Sequence, residues 1–257
     1  MEKTASVSGA QTIHKAISLL KFIARFSGEG ARLIDLVRGM EIGQPTAHRL
    51  LQALVAEGLV KQDTSHRYHL GSLVFELSLT SGHHFNLADI CTPVLKKLAD
   101  ETGDTSFLFL RSGDDAICLA REQGPYHIQT PVVPVGSRQP LGVSAGGLAI
   151  LSALSEQEAA AVLKAITPRL VMFGNLTTDR VWEYYLKSNA VGYAAISNRA
   201  APGVKGVGVP IIGEIGTPIA AVTLATTISR MTEERIQEII PALNEAAEQI
   251  DVLLRQF

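Results

Sequence analysis

The feature that most constrains the fold of this chain is the order of short segments between residues 12 and 71. Apolar residues recur at helical spacing in 12–25, 31–39 and 45–57, and only a short turn separates the last two. The stretch 59–71 then predicts a hairpin, with two brief strand-like runs around the polar turn "DTSH". Helix, short helix, turn, helix and hairpin is the order of a winged helix-turn-helix.

Glycine and proline set the expected ends of these helices. Gly39 is expected to stop the short helix, Pro45 to take the first position of the next helix, and Gly58 to end it. The 12–25 helix is apolar on two sides, so it needs two partners. One partner is its own domain; the second is either the same helix of another subunit or more of the domain core.

The outer face of the 45–57 helix is polar and suited to reading DNA. Arg49 can pair with guanine, Gln52 with adenine, and Thr46 can reach a base or a phosphate. Basic residues of the hairpin and the positive end of the helix would hold phosphates. A solvated helix face is the alternative interpretation. The predicted DNA-binding residues are Gln44, Pro45, Thr46, His48, Arg49, Gln52, Lys61, His66 and Arg67.

The distribution of charge gives weak support for placing DNA binding in the first segment of the chain. The whole chain has a net charge of −2, but residues 1–80 carry nine Lys or Arg against seven Asp or Glu, so only the remainder is acidic. The asymmetry favours an anionic partner for the first segment alone.

The location of the protein is expected to be cytoplasmic. Cys91 and Cys118 are too few for a disulfide framework, so we predict two buried thiols in a reducing compartment. The first residues lack the apolar core of a signal peptide, and Gly216 and Pro218 break the longest uncharged stretch. No membrane partner is expected.

The second half of the chain mixes strands and helices. Strands are predicted at 105–111, 116–122, 128–136, 193–197, 204–212 and 219–227. Helices are predicted at 85–102, at 145–154, after the capping box Ser155–Glu158, and up to Gly192. A last helix begins at Thr232, and Pro241 is expected to kink or interrupt it.

Residues 142–146 match the G-x-S-x-G pattern of a hydrolase nucleophile elbow, with Ser144 as the candidate nucleophile. That triad requires a histidine after the serine, but all seven histidines precede Ser144, the last being His127. The segment before it also lacks an apolar strand. A helix start whose free amides, those of Ala145 and Gly146, bind a carboxylate is the favoured interpretation.

Three stretches of the chain resemble the IclR family of bacterial transcription regulators. They are "TAHRLL" with the later "YHLG", "RQPLGVSAGGLAILSAL", and "VGYAAISNRAAPGVKGVGVPIIGEIGTPIAAVTLA". The resemblance implies an α+β multidomain fold: a winged helix-turn-helix at 10–75, a linker helix at 76–88, and a GAF-like α/β domain at 89–257 for effector binding and oligomerisation. It also implies dimers or tetramers.

The resemblance further implies an effector pocket. The family holds a small acidic effector on backbone amides that match Ala145 and Gly146. An acidic family position matches Ile196 or Ser197, a cysteine matches Gly206, and two serines match Thr223, which keeps a hydroxyl, and Ala225, which does not. These departures predict a roomier, more apolar pocket for an organic acid with an apolar body, such as an aromatic acid. Arg138 and Asn198 are weaker candidates.

Neither a cofactor nor a metal is expected. The group His66, Tyr68 and His69 and the pair His83–His84 lack the cysteines or carboxylates that would complete a metal site.

The sequence therefore predicts a ligand-responsive regulator, not an enzyme, whose partners are an operator in double-stranded DNA, a small organic acid and a second copy of itself. Two alternatives stay open: a serine hydrolase using Ser144, and a DNA-binding protein whose second domain only oligomerises.

Overall fold

A computed structural model describes residues 8–26, 30–80, 87–130, 133–199, 201–213 and 216–255. The chain forms two compact units, residues 1–85 and 86–257. The domain limits proposed from the sequence, 10–75, 76–88 and 89–257, stay a prediction. Within the described residues, no helix is long and apolar enough to cross a membrane.

The first unit is the expected winged helix-turn-helix. Its elements are α1 (Ser8–Ile23) with a 3-10 turn (Ala24–Phe26), α2 (Leu33–Met40), α3 (Gln44–Ala56), β1 (Val60–Gln62), β2 (Tyr68–Leu70) and α4 (Ser72–Thr80). Strands β1 and β2 pair antiparallel, Lys61 opposite His69. The core forms where the apolar faces of the three helices and the hairpin meet, around Leu19, Leu36, Leu51 and Tyr68.

Two helix ends differ from the prediction. Gly39 does not stop α2; it lies inside the helix because the ring of Phe22 packs against it, at a place where a Cβ would be only 2.0 Å from the ring. The helix ends at Met40, and Glu41 takes the left-handed conformation with φ 50°. Pro45 is the second residue of α3, not the first, because Gly43 is the N-cap.

The second unit is a six-stranded antiparallel sheet with helices on both faces. Its strands follow the order β5-β4-β3-β8-β7-β6. The strands are β3 (Thr105–Ser112), β4 (Asp115–Gln123), β5 (Arg138–Pro140), β6 (Ala194–Ser197), β7 (Val204–Ile212) and β8 (Pro218–Thr227). The helices are α5 (Leu87–Thr102), α6 (Ala145–Ser152), α7 (Glu156–Leu170), α8 (Thr178–Val191) and α9 (Glu233–Leu254). This is the expected α/β domain.

Alternation along the strands divides this unit into two cores. Phe107 and Phe109 of β3 join a cluster with α6, α7 and α8, whereas Leu108 between them joins a cluster with α5 and α9. On β8, Ala221 and Ala225 face the first cluster, and Val222 and Leu224 face the second. Successive side chains of a strand point to opposite faces, so β3 and β8 each contribute to both cores.

One prediction for this unit is wrong, and of the two alternatives for Pro241 the interruption of the helix is not found. Of the predicted strand 128–136, the described residues 128–130 and 133–136 do not form a strand: the side-chain amide of Gln129 donates to the carbonyl oxygens of Gly103 (3.3 Å) and Gly124 (2.8 Å), which binds this residue to a turn and not to a neighbouring strand. The short polar strand β5 pairs with β4 instead. Pro241 does not interrupt α9, because it lies on the exposed face where solvent can satisfy the carbonyl that loses its donor.

Candidate DNA-binding and ligand-binding sites

The outer face of α3 carries the candidate base-reading residues. Ala47, Leu50, Leu51 and Leu54 are buried, as the helical spacing predicted. The opposite side exposes the polar residues, so their positions follow from the packing of the apolar face. The exposed residues of this face are Gln44, Pro45, His48, Arg49, Gln52 and Ala53, and Thr46 is half-buried.

The side chains of Arg49 and Gln52 are available to a ligand. Among the described residues neither has a hydrogen-bond or ion-pair partner, and both are exposed one helical turn apart. A guanidinium and a carboxamide on one helix face can each make the bidentate contacts that distinguish guanine and adenine in the major groove.

The amino end of α3 offers fewer free amides for a phosphate than the sequence suggested. The amides of Thr46 and Ala47 already donate to the carbonyl of Gly43, at 2.9 and 3.0 Å, and Pro45 has no N–H. Only the amide of Gln44 in the first turn lacks a partner within the described part of the chain. Phosphate binding here would therefore depend on a single amide and the side chains.

The hairpin holds its three candidates differently. Lys61 and His66 are exposed, and His66 sits at the turn with φ 59°. Arg67 is half-buried, and its Nη1 donates to the carbonyl of Gly30 at 3.1 Å. Arg67 thus contacts its own domain, whereas Lys61 and His66 extend into solvent.

Asp63 organises the hairpin turn. Its carboxylate accepts from the amides of Ser65 (2.8 Å) and Arg67 (2.9 Å), and it contacts Nε2 of His69 at 2.8 Å. The amide of Arg67 and the ring of His69 hold the pKa of Asp63 below its ordinary value. The negative charge of Asp63 at the tip of the hairpin is thereby bound by groups of the hairpin itself.

Six of the seven candidate effector residues meet at one cavity in the second unit. Its lining is Phe107, Phe109, Val133, Ser144, Ala145, Gly146, Ile196, Val204, Gly206, Thr223 and Ala225. Ser197 is the exception: it points to the other face of β6 because it follows Ile196 in an extended strand. The aromatic and branched part of this lining, from Phe107, Phe109, Val133 and Val204, was not predicted from the sequence. The alternation in "TSFLFLR" was an available signal for the two phenylalanines.

The cavity is apolar, as expected, but it is not roomy. Its volume is ≈30 Å³, far below the roughly 300–1,000 Å³ of small-molecule sites. The rings of Phe107 and Phe109, stacked with centroids 6.1 Å apart, fill the space that small residues elsewhere leave. A larger ligand enters only if this lining moves.

Small residues bring α6 close to the sheet. A Cβ at Gly146 would lie 2.2 Å from the ring of Phe109, and a Cβ at Gly206 would lie 3.0 Å from that of Ala145. Glycine at these two positions therefore lets the first turn of α6 approach β3 and β7, which brings its backbone to the cavity.

The amino end of α6 presents free amides at this cavity. Ser144 is the N-cap, and its hydroxyl accepts from the amide of Gly147 at 3.2 Å, while the amide of Leu148 donates to the Ser144 carbonyl at 2.8 Å. Within the described residues, the amides of Ala145 and Gly146 have no acceptor. With the hydroxyl of Thr223 in the same lining, this is the polar end of an apolar cavity, suited to a carboxylate.

The two weaker effector candidates lie elsewhere. Arg138 pairs with the buried carboxylate of Asp115 at 3.2 Å, and Asn198 accepts from the amide of Gly203 at 2.8 Å. Neither lines the cavity. No observation supports the serine hydrolase alternative, since the Ser144 hydroxyl caps a helix.

No group of three metal-ligating side chains occurs in the described part of the chain, and the pair His83–His84 lies outside it.

Comparison with known proteins identifies relatives over both units. The family model for the IclR helix-turn-helix domain matches residues 12–64, and the model for the bacterial transcriptional regulator IclR C-terminal domain matches residues 80–252. The chain is 26% identical to the HTH-type transcriptional repressor AllR of Escherichia coli over 234 residues, 88% of this chain and 84% of that protein.

Two solved structures share the fold. A putative IclR transcriptional regulator from Silicibacter sp. has a TM-score of 0.77 at 25% identity, covering 95% of this chain and 96% of its own. An IclR homologue from Microbacterium hydrocarbonoxydans, complexed with 4-hydroxybenzoate, has a TM-score of 0.64 at 20% identity, covering 96% of this chain and all of its own, 100%.

Proposed function

The chain belongs to the IclR family of DNA-binding transcription regulators with a ligand-binding carboxy-terminal domain, and we propose from this premise that a small organic acid controls its affinity for an operator. The observation that carries the proposal is the pair of unpartnered amides, Ala145 and Gly146, beside Thr223 at an otherwise apolar cavity. The carboxylate would bind at this polar end, and the apolar body would contact the rings of Phe107 and Phe109.

The narrowness of the cavity suggests how binding becomes a signal. A ligand of the size of an organic acid must displace the apolar lining, so the ligand-bound domain differs in shape from the ligand-free one. A ligand that binds one shape more tightly shifts the population toward it. In a dimer or tetramer, this shift would change the spacing of the DNA-binding units.

An aromatic acid is the ligand class that we propose. The relative from Microbacterium hydrocarbonoxydans holds 4-hydroxybenzoate, and two phenylalanine rings line the cavity of this chain. The ligand test uses 4-hydroxybenzoate, with phenol as the analogue that lacks the carboxylate. We expect the acid to raise the midpoint of thermal unfolding at millimolar concentration and phenol to have a much smaller effect.

Two threonines of β8 provide matched variants for this test. Thr223→Val removes a hydroxyl at the cavity, whereas Thr226→Val removes the same group from a residue that does not line it. Losing one hydrogen bond to a carboxylate costs about 1.5–3 kcal/mol, so Thr223→Val should weaken the acid roughly tenfold or more. Equal affinity in the two variants, or no stabilisation by any acid of an aliphatic and aromatic series, would contradict the proposal. If operator binding persists without any effector response, the second domain only oligomerises.

We further propose that Arg49 and Gln52 read bases, that Gln44, Thr46, His48 and Pro45 fit the groove wall, and that Lys61, His66 and Arg67 meet phosphates. The operator can be obtained by selection from random-sequence DNA. Arg49→Ala should then lose about 1–3 kcal/mol of specific binding and retain the salt-dependent non-specific binding.

Arg38→Ala is the matched control for this variant. Arg38 is an exposed cation on α2, and its removal changes the net charge equally. By fluorescence anisotropy, Arg49→Ala should lower the ratio of operator to scrambled-DNA affinity, and Arg38→Ala should leave that ratio unchanged. Unaltered operator preference in Arg49→Ala would remove this residue from base reading.

We also propose that the protein is cytoplasmic and that it associates with a second copy of itself through α1. Ile13 and Ile17 of α1 are 61% and 46% exposed, and they lie one turn apart on the side away from the core. An apolar stripe of this kind is suited to the same helix of a second subunit. Sedimentation of an Ile13→Glu variant would show a lower mass than the wild type.

A further inference from the structure

A second concave site lies on the carboxy-terminal domain, outside the cavity described above. This groove runs along the outer edge of strand β6, between the side of α8 and the start of α9, and its volume is ≈590 Å³, within the roughly 300–1,000 Å³ of small-molecule sites. Ala195 and Ser197 face this groove, whereas Ile196 between them lines the apolar cavity.

Cations dominate the lining of the groove. Arg180, Lys187, Arg199 and Lys205 line it against a single carboxylate, that of Glu233. The chain as a whole has a net charge of −2, so this excess is local. A concave surface with one sign of charge raises the local concentration of the opposite ion.

The phenol of Tyr184 orients one of these cations, Arg180. Nε of Arg180 donates to the hydroxyl of Tyr184 at 3.2 Å, and its guanidinium lies 4.9 Å from the ring centroid. Burial raises the pKa of Tyr184, but hydrogen bonds from Arg180 and Arg199 outweigh it, so the pKa lies below its ordinary value. Arg199 also donates to the carbonyl of Gly174 at 3.4 Å. Each of the two guanidiniums thus has a hydrogen-bond partner within the domain instead of extending freely into solvent.

The cations that line the groove differ in whether they already form an ion pair. Lys205 pairs with Glu233 at 2.9 Å, and Glu183 pairs with Arg180 at 2.6 Å. Lys187 is exposed and has no ion-pair partner among the described residues. After these pairs are counted, the charges of Arg199 and Lys187 remain for a ligand.

We propose that this groove binds a phosphate-bearing small molecule. Guanidinium, ammonium and phenol groups converge as donors on one concave site, and a phosphate offers several anionic oxygens to such a set. The volume exceeds that of inorganic phosphate and suits a phosphorylated metabolite, with the rings of Tyr184 and Tyr193 as walls for its organic part. The groove is separate from the organic-acid cavity, and the proposal for it does not rest on the function proposed there.

The test is a calorimetric titration of the full-length protein with inorganic pyrophosphate and with ADP, at low ionic strength. We expect saturable binding of both probes. In the double variant Lys187→Gln/Arg199→Gln, binding should weaken by roughly tenfold for each cation removed, because a charge-assisted hydrogen bond belongs to the stronger class and one such contact corresponds to about a tenfold change.

Lys96→Gln provides the control, since Lys96 is an exposed cation of α5 that does not line the groove. The affinity of the Lys96→Gln variant for pyrophosphate and for ADP should equal that of the wild type. Thermal unfolding of the double variant, unchanged without ligand, would show that lost binding is not lost folding.

Several outcomes would overturn the proposal. They are no saturable heat with either probe at millimolar concentration, equal weakening in Lys96→Gln, and affinity for citrate equal to that for pyrophosphate, which would mean that the groove does not distinguish phosphates from carboxylates. A double variant that changes only the sedimentation mass would identify the groove as a contact between copies of this chain.

Discussion

Replacing Gly146 by alanine tests how closely α6 is packed onto the sheet at the ligand cavity. The new Cβ would lie 2.2 Å from a ring carbon of Phe109, well inside the roughly 3.5–4.0 Å of favourable carbon contacts. Phe109 is 3% exposed and stacked on Phe107. The ring and the helix must therefore separate by more than an ångström inside a packed core.

Two opposing effects determine how far Gly146→Ala changes the free energy of unfolding. Alanine instead of glycine in a helix gains about 0.5–1 kcal/mol, whereas overpacking a core costs about 1–3 kcal/mol. We expect Gly146→Ala to lower the free energy of unfolding by about 1–2 kcal/mol. Gly147→Ala is the neighbouring control, because its Cβ would meet Gly142, Ser144 and Leu141 at 3.3–3.4 Å, so that a shift of a few tenths of an ångström suffices. The helical gain of alanine offsets this smaller strain, so its change should be small.

Urea unfolding measures the difference, followed by the fluorescence of Trp182, which is the single tryptophan of the chain and lies in the same unit. In a Phe109→Leu background the ring is gone, so the penalty of Gly146→Ala should largely disappear, giving a coupling energy of about 1–2 kcal/mol. A Gly146→Ala variant as stable as the wild type, or strictly additive effects with Phe109→Leu, would refute the close packing of this helix start.

Two further predictions concern buried groups. The Thr226 hydroxyl is buried with no hydrogen-bond partner among the described residues, so Thr226→Val should raise the free energy of unfolding by about 1 kcal/mol; a loss of stability in urea would show that the hydroxyl has a partner. Burial raises the pKa of the Cys91 thiol to about 11 and that of Cys118 to about 12, so near neutral pH both should react with Ellman's reagent only after unfolding. Fast reaction of the native protein would contradict their burial.

Amphipathic spacing was sufficient to predict the recognition helix. The positions Ala47, Leu50, Leu51 and Leu54 share one face of any helix through this segment, and their burial leaves Arg49 on the opposite face. Short-range signals failed where a distant residue decides the outcome. Gly39 resembles a helix stop in the sequence, but the ring of Phe22 from another helix determines its place.

The ligand cavity was predicted only in part for the same reason. Positions matched to the family, such as Ala145 and Thr223, do meet at one cavity. The volume of the cavity depends on the rings of Phe107 and Phe109, whose distance from α6 is fixed by how β3 packs, and no pattern within a single segment contains that distance. A roomy pocket was therefore inferred from small residues alone, without the large ones opposite them.

Strand alternation connects the two sites of the carboxy-terminal domain. On β6, Ile196 lines the apolar cavity and Ser197 the cationic groove; on the paired strand β7, Val204 lines the cavity and Lys205 the groove. A ligand that shifts the backbone at Ile196 or Val204 would therefore also shift Ser197 and Lys205, whereas a ligand that turns only the two cavity side chains would leave the groove unchanged. The same alternation explains why Ser197, which the sequence predicts at the effector cavity, lines the cationic groove instead. A shift of one residue along a strand changes the face of the sheet, and with it the site.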